Sequence, residues 1–443
     1  MLARHVTVRT RLVSWWAALP ELTRDGWLYG MSSIFALTLA ATSSQAAQWH
    51  WGYLAAAPYG VLGVVAVLAG RRRWMRPTVV RLALLLLVII GAVAVPLGLE
   101  ARWRQLDHGV GFAQPEVGVI ERSGGYLAKL QDPYRAYLHD GRLVNAVPGL
   151  PAYESFFPYF PLMGVFGLPS AETHQGLGLT DARIVMSLMT MAVTGLALGL
   201  MRATRAKKLR VAQILVALPT GALFLATGGD DMPILALLLL AVVGLQRRSR
   251  YLTGVSLGLA AAMKLTAWPV AVGALLVSRD GKGRSTWRSV ASVVSVIVVA
   301  TIAPFVVKAP WAFMTNVFAF PLGLTGVQSP AASPLPGHLL TTWWPPAGHL
   351  LAPLTLTILG YYSWRLLRRR WPLTLSQLLG WLSVAFVVAI LAASATRVGY
   401  VIYPVNLAAW SWACRVPHVE DGGPLEGGGV LVDAVGPVHD AIG

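Results

Sequence analysis

Long apolar runs, interrupted by short polar or basic stretches, make up most of the chain. A helix that crosses a bilayer needs about 20 apolar residues. Windows of that kind fall at 27–46, 53–70, 78–98, 183–201, 211–227, 231–246, 289–307, 348–366, 373–393 and 397–413. They predict ten crossings, the shortest of them tilted or shielded by neighbours. No small-residue cleavage site follows a compact apolar core in the first 26 residues, so the first span is expected to stay. The predicted fold class is an all-α polytopic integral membrane protein.

One stretch does not fit a plain alternation. Residues 251–278 have basic clusters at both ends and Lys264 and Pro269 near the middle. Lysine is costly inside a membrane, and proline interrupts a helix. Two half-helices that enter and return, meeting near Lys264, are predicted. The alternative is a single crossing with a snorkelling lysine, which would invert everything after it.

Composition agrees with the pattern. Of 443 residues 56% are hydrophobic and only 12% charged, against about 25% charged in a soluble domain. An ordinary soluble enzyme and a disordered chain are excluded. The net charge of +17 would suit nucleic acid, but in so apolar a chain it fits basic cytoplasmic loops, and no nucleic-acid partner is expected. The connections 71–81, 202–210, 246–250, 279–288 and 365–370, with the N-terminal segment and Arg415, hold 26 of the 36 Lys and Arg residues. The positive-inside rule then puts both termini in the cytoplasm. Residues 416–443, rich in glycine, are expected to be a disordered tail. The single cysteine, Cys414, rules out an internal disulfide and a multi-cysteine metal site.

The longest segment between spans, 99–182, carries nine carboxylates against six basic residues. It is net negative in a strongly positive chain, and on the expected topology it faces outward, so acid–base chemistry is expected there. Within it, 156–169 (FFPYFPLMGVFGLP) is too short to span and is broken by Pro158, Pro161 and Pro169. It reads as interfacial or re-entrant, with Phe156, Phe157, Tyr159 and Phe160 near the headgroups. A second outer loop, 308–347, carries Trp311, Trp343 and Trp344 and is expected to lie along the membrane surface.

Several motifs in this order resemble glycosyltransferase family 87, the polyprenyl-phosphate-mannose-dependent mannosyltransferases of the GT-C membrane fold. Glu116-Val117-Gly118-Val119-Ile120 stands where the family has Asp-Leu-x-Val-Tyr. Asp132-Pro133-Tyr134 and Tyr159-Phe160-Pro161-Leu162 follow. Further on come Gly229-Asp230-Asp231-Met232-Pro233, Arg247-Arg248, and a glycine-patterned helix from Thr253 to Lys264. The likeness runs from about 78 to 413. It divides the chain into a basic N-terminus with two extra spans (1–77), a GT-C-like catalytic core (78–413) and the tail. The departures are Glu116 for the family's aspartate and Ile120 for its tyrosine.

The resemblance implies transfer of a sugar, mannose above all, from a polyprenyl-phosphate donor to a glycolipid or cell-envelope glycan, with inversion, at the extracytoplasmic face. That chemistry needs a carboxylate to take the acceptor proton and donors to hold the leaving phosphate. Glu116 is the first candidate base, with Glu121 and Asp132 behind it. Glu121, five residues on, would face away from Glu116 on a helix, and Asp132 before a proline could be a turn residue. His338, Arg397 and Lys264 are candidates for the donor phosphate, with Tyr400 and Tyr403 along its groove. Asp230, Asp231, Tyr159 and Gln328 are candidates for sugar or acceptor contacts. The aspartates would also suit a helix N-cap, His338 and Arg397 interfacial anchoring, and the tyrosines packing. No cofactor is implied and a divalent cation is left open. A lipid-linked sugar transporter or flippase and a non-catalytic scaffold remain as rivals.

Overall fold

The computed structural model describes residues 14–16, 18–72, 76–106, 112–172, 178–278, 284–370 and 372–415. The tail predicted at 416–443 and much of the basic N-terminus lie outside them. Of the described residues 77% are helical. The main helices are α1 (Glu21–Thr42), α2 (Ala46–Arg71), α3 (Pro77–Leu106), α4 (Pro115–Ala128), α5 (Ala182–Leu200), α6 (Arg205–Ala217), α7 (Pro219–Thr227), α8 (Asp231–Gln246) and α9 (Arg250–Ala261). After the break near Lys264 come α10 (Trp268–Val277), α11 (Arg284–Lys308), α12 (Pro336–Trp343), α13 (Ala347–Arg370), α14 (Leu375–Ala392) and α15 (Ile402–Ala413). Most predicted spans fall on one of these, but 27–46 runs across the break at Ser43 and 211–227 across the break at Leu218 between α6 and α7. Among the described residues five helices are long and apolar enough to cross a membrane alone, and α6 with α7, meeting at 41°, would make a sixth. Helix α8 is shorter, and every residue from Asp231 to Gly244 is buried, so it is the pillar around which the others stand.

Contacts between connections sort the helix ends. Arg247 donates to Leu200 O, Arg202 N to Gln246, Lys207 Nζ to the carbonyls of Ala413 and Arg415, and Gln246 to Cys414 Sγ. The basic connections therefore gather at one end. At that end Asp25 takes Arg81 at 2.6 Å and Arg210 at 2.8 Å, a buried cluster that joins α1 to α3 and α6. Higher up, Trp51 Nε1 donates to Ala92 O inside a π-turn of α3, and the Tyr59 hydroxyl donates to Ala217 O at the α6–α7 break. Helix α2 thus satisfies carbonyls that irregular turns in the neighbouring helices leave open.

The stretch 251–278 enters and returns. Gly254 of α9 lies against Val290 and Val293 of α11, and Gly258 against Ile297, so α9 and α11 run parallel. Helix α10 comes back beside Leu378 and Leu382, near the start of α14, where Ser376 bonds Ser411 next to the basic end. A single crossing is excluded. The break is supported at its open carbonyls: Trp268 Nε1 donates to Ala261 O, and Phe160 N donates to Met263 O, both at 3.0 Å.

That second bond marks a correction. Phe156, Phe157, Tyr159 and Phe160 are not at the headgroups but buried, each 4% exposed or less. The prolines leave short irregular structure, a 3-10 turn at Pro161–Gly167, whose spare amides bond inward. Phe157 N donates to Asn316 Oδ1, and Asn316 Nδ2 in turn donates to Ala136 O. Asn316 so ties the two outer loops together. Gly124 and Gly167 meet backbone to backbone, where any side chain would collide. A small hairpin, β1 (Tyr137–His139) and β2 (Arg142–Val144), turns at Asp140-Gly141 with both residues left-handed, the turn this dipeptide favours. In the connection 308–347 Trp311 and Trp343 are more than 80% exposed. Helix α13 has only Ala347 buried.

Candidate functional site

The site is built where α7 hands over to α8. Helix α7 ends at Thr227, and Gly228 takes φ +103°, a conformation side chains other than glycine avoid. A Cβ there would also strike Val117 and Arg183. Gly228→Ala is therefore expected to lower stability by at least about 1–3 kcal/mol, read as a fall in melting temperature of the detergent-solubilised protein.

The turn fixes both sides of the cavity. On one side Thr227 accepts Gln114 N through its carbonyl (3.0 Å) and Gln114 Nε2 through its hydroxyl (2.8 Å). This seats the start of α4 and puts Glu116 on its first turn. On the other, Asp230 and Asp231 open α8. Asp230 holds the N-cap position without making a side-chain cap bond. Both carboxylates instead take Lys264 Nζ, at 2.7 Å each. Tyr403 donates to Asp231 at 2.6 Å and is paired with Thr266. Lys264 also lies over the rings of Tyr159 and Tyr400. Helix α9 is long enough to run beside α8 up to its first residue, which carries the lysine from the broken hairpin to the aspartates. Across the cavity Arg397 Nη1 pairs with Glu116 Oε1 at 2.6 Å. The second Glu116 oxygen is buried and has no partner.

Glu116, Tyr159, Asp230, Asp231, Lys264, Arg397 and Tyr400 thus line one cavity of about 140 Å³, walled elsewhere by Phe156, Phe224 and Phe320. With Glu154 at the edge, two cations face four carboxylates. Lys264 is held by both aspartates and has no charge to spare, so it fits a phosphate-holding role less well than Arg397 does. Tyr403 lies beneath the cavity, steadying Asp231, and does not line it. His338 and Gln328 line an adjoining cavity that shares Ser329, Ala331 and Ala395 with the first. His338 Nδ1 is 2.8 Å from Ser394 O. A carbonyl only accepts, so Nδ1 carries the proton.

Glu121 and Asp132 stand apart. Glu121 accepts both Arg104 Nη atoms and Ala182 N, on the face of α4 away from Glu116. Asp132 accepts Tyr134 N in a turn, and burial raises its carboxyl above the usual range. Near Glu121, Asp181 caps α5 through Arg183 N. Burial alone would raise the Asp181 carboxyl, but Arg183 and Arg104 override it and bring it to about 2. A depressed carboxylate stabilises above its unfolded value, about 3.9, and that contribution is lost as pH falls through about 2. The gap in melting temperature between wild type and Asp181→Asn is expected to be widest above pH 4 and to close toward pH 2.

Two residues of the site region escaped the sequence reading. Asn316 is fully buried and joins the loops, and a lone amide in an apolar run was the available signal. Glu154 is buried at the edge of the main cavity, with no hydrogen bond to Oε2, and burial raises its carboxyl. It was one carboxylate among nine, and no motif marked it.

A family model described as glycosyltransferase family 87 matches residues 157–394, more than half of the chain. The chain belongs to glycosyltransferase family 87. With its helical architecture, this makes it a multi-pass membrane glycosyltransferase. No curated protein matches it. The family 87 match takes in Tyr159, Asp230, Asp231, Lys264, Gln328 and His338. Glu116, Glu121 and Asp132 precede it, and Arg397, Tyr400 and Tyr403 follow, so the Glu116–Arg397 pair stands outside the matched residues on both sides.

Proposed function

We propose that the protein transfers a sugar, mannose in the first instance, from a polyprenyl-phosphate donor to a glycolipid or cell-envelope glycan at the extracytoplasmic face, and that residues 78–413 form its catalytic core. The observation that carries this reading is the meeting of Glu116, Arg397 and the Lys264–Asp230–Asp231 cluster in one cavity at the end of the bundle away from the basic connections. The basic end is cytoplasmic by the positive-inside rule, which leaves the cavity facing outward.

Glu116 is the general base. Its Oε1 is held by Arg397, and its bare Oε2 accepts the proton of the acceptor hydroxyl as that oxygen attacks the anomeric carbon. The bond to the phosphate breaks in the same step, so the configuration inverts and no covalent enzyme intermediate forms. Arg397 has donors beyond Nη1, and its forked guanidinium suits a phosphate oxygen. Asp230 and Asp231, positioned by Lys264, accept hydrogen bonds from sugar hydroxyls. Tyr159 and Tyr400 offer ring faces to the sugar. His338 and Gln328, in the adjoining cavity, are placed to meet the donor's phosphate-proximal chain.

Membranes containing the protein, given labelled polyprenyl-phosphate mannose and a panel of lipid acceptors, are expected to pass label to acceptor. Transfer from a nucleotide sugar instead, or movement of the intact donor across proteoliposomes without transfer, would overturn the reading.

A further inference from the structure

A second cavity, of about 340 Å³, opens between α4 and the loop that carries the β-hairpin, and meets the first at Val119, Glu154 and Phe156. Its polar lining is Arg122, Ser123, Tyr126, Arg135, Asn145, Glu154 and Ser155. Neither arginine has a carboxylate within hydrogen-bond distance among the described residues. Arg122 Nη2 donates to the Glu154 carbonyl at 2.7 Å, while its ion pair with Glu154 Oε2 is long, at 3.7 Å, with no hydrogen bond to that oxygen. Burial pulls the Arg122 guanidinium below its usual range, and Glu154 offsets this only in part. Arg135 stacks over Tyr126 at 5.0 Å, bonds Gln131 at 3.4 Å and acts on Asp132 without an ion pair among the described residues. Asn145 donates to Arg135 O, which leaves its amide oxygen for a ligand. Forked cations, an aromatic edge, an amide and a hydroxyl together suit a sugar ring with a negative charge on it.

We propose that this cavity binds the acceptor, and that the acceptor is an anionic saccharide whose phosphate or carboxylate lies on Arg122 and Arg135 while its reacting hydroxyl passes Glu154 toward Glu116. The inference rests on the glycosyltransferase reading for the word acceptor, but binding itself can be measured without transfer. The occupant is recognised by charge and hydroxyls together, so neither alone is enough.

The first test is thermal stabilisation of the purified, detergent-solubilised full chain by glucose 6-phosphate, glucuronate, glucose and inorganic phosphate. Stabilisation by either anionic sugar, exceeding that by glucose and by phosphate, and lost in Arg135→Gln, is the expected result. No stabilisation by the anionic sugars, or equal stabilisation by phosphate alone, overturns the proposal. Arg135 is exposed, so the variant is expected to fold. Arg142→Gln, an exposed change on the hairpin outside the cavity, serves as the control and is expected to match wild type.

The second test is kinetic. With alkyl glycoside acceptors that differ by one phosphate, Arg135→Gln and Arg122→Gln are expected to raise KM for the phosphorylated acceptor about tenfold or more relative to the neutral one. An equal change for both acceptors, or none, counts against the assignment. Wild-type protein that binds glucose 6-phosphate but transfers no sugar to either acceptor would remove the transferase reading and leave the binding site standing.

Discussion

Glu116→Gln is expected to lower transfer about 10²–10⁴-fold, the usual worth of a positioned general base, while the protein remains folded. Glutamine keeps the shape of the side chain, and its carbonyl still accepts from Arg397, so the cavity retains its form. The capacity to take a proton is lost, and with it the negative charge opposite the guanidinium. Initial rates with saturating donor and acceptor, set beside melting temperatures, separate the two effects. Glu121→Gln gives the contrast. Glu121 is bound to Arg104 and to the first amide of α5, so its loss is expected to lower the melting temperature and to spare turnover per folded molecule. If the two variants behave the other way round, the base is misassigned.

Lys264→Met is expected to be the most damaging single change to the fold, costing about 3–5 kcal/mol. Breaking a buried ion pair by removing one partner strands the other charge, and here two carboxylates share the one ammonium. Only Tyr403 would still serve Asp231. Expression and melting temperature in mild detergent are the readouts. The triple variant Asp230→Asn, Asp231→Asn, Lys264→Met is expected to recover part of the lost stability and none of the lost transfer. Recovery of neither would place the lysine's importance elsewhere than in this cluster.

The helices and their order were legible because hydrophobic length is a local property, and so was the break at Lys264, where a charge and a proline interrupt an apolar stretch. The return of that segment was legible only through its basic flanks. The partners across the site were not. Nothing near Glu116 in the chain points to Arg397, and nothing near Lys264 points to Asp230, because those pairs are made by the turn at Gly228 and by the length of α9. The aromatic run at 156–160 misled for a related reason. Aromatic residues and prolines look alike at a membrane interface and in an irregular plug. What separates the two is where the spare amides find acceptors, and those acceptors, Met263 O and Asn316 Oδ1, lie more than 100 residues away.

Helix α13 has a consequence beyond the site. Below Ala347 its Leu350, Leu354, Leu356, Tyr361, Tyr362 and Trp364 are all exposed, so if α13 crosses the membrane as the apolar window at 348–366 leads one to expect, hydrocarbon rather than protein would be its main neighbour. A helix solvated in that way takes its tilt from the thickness of the bilayer. Its first residues, Gly348 and His349, line the cavity that holds His338. In such a placement a thicker or thinner membrane would shift the first residues of α13 and with them the width of that cavity.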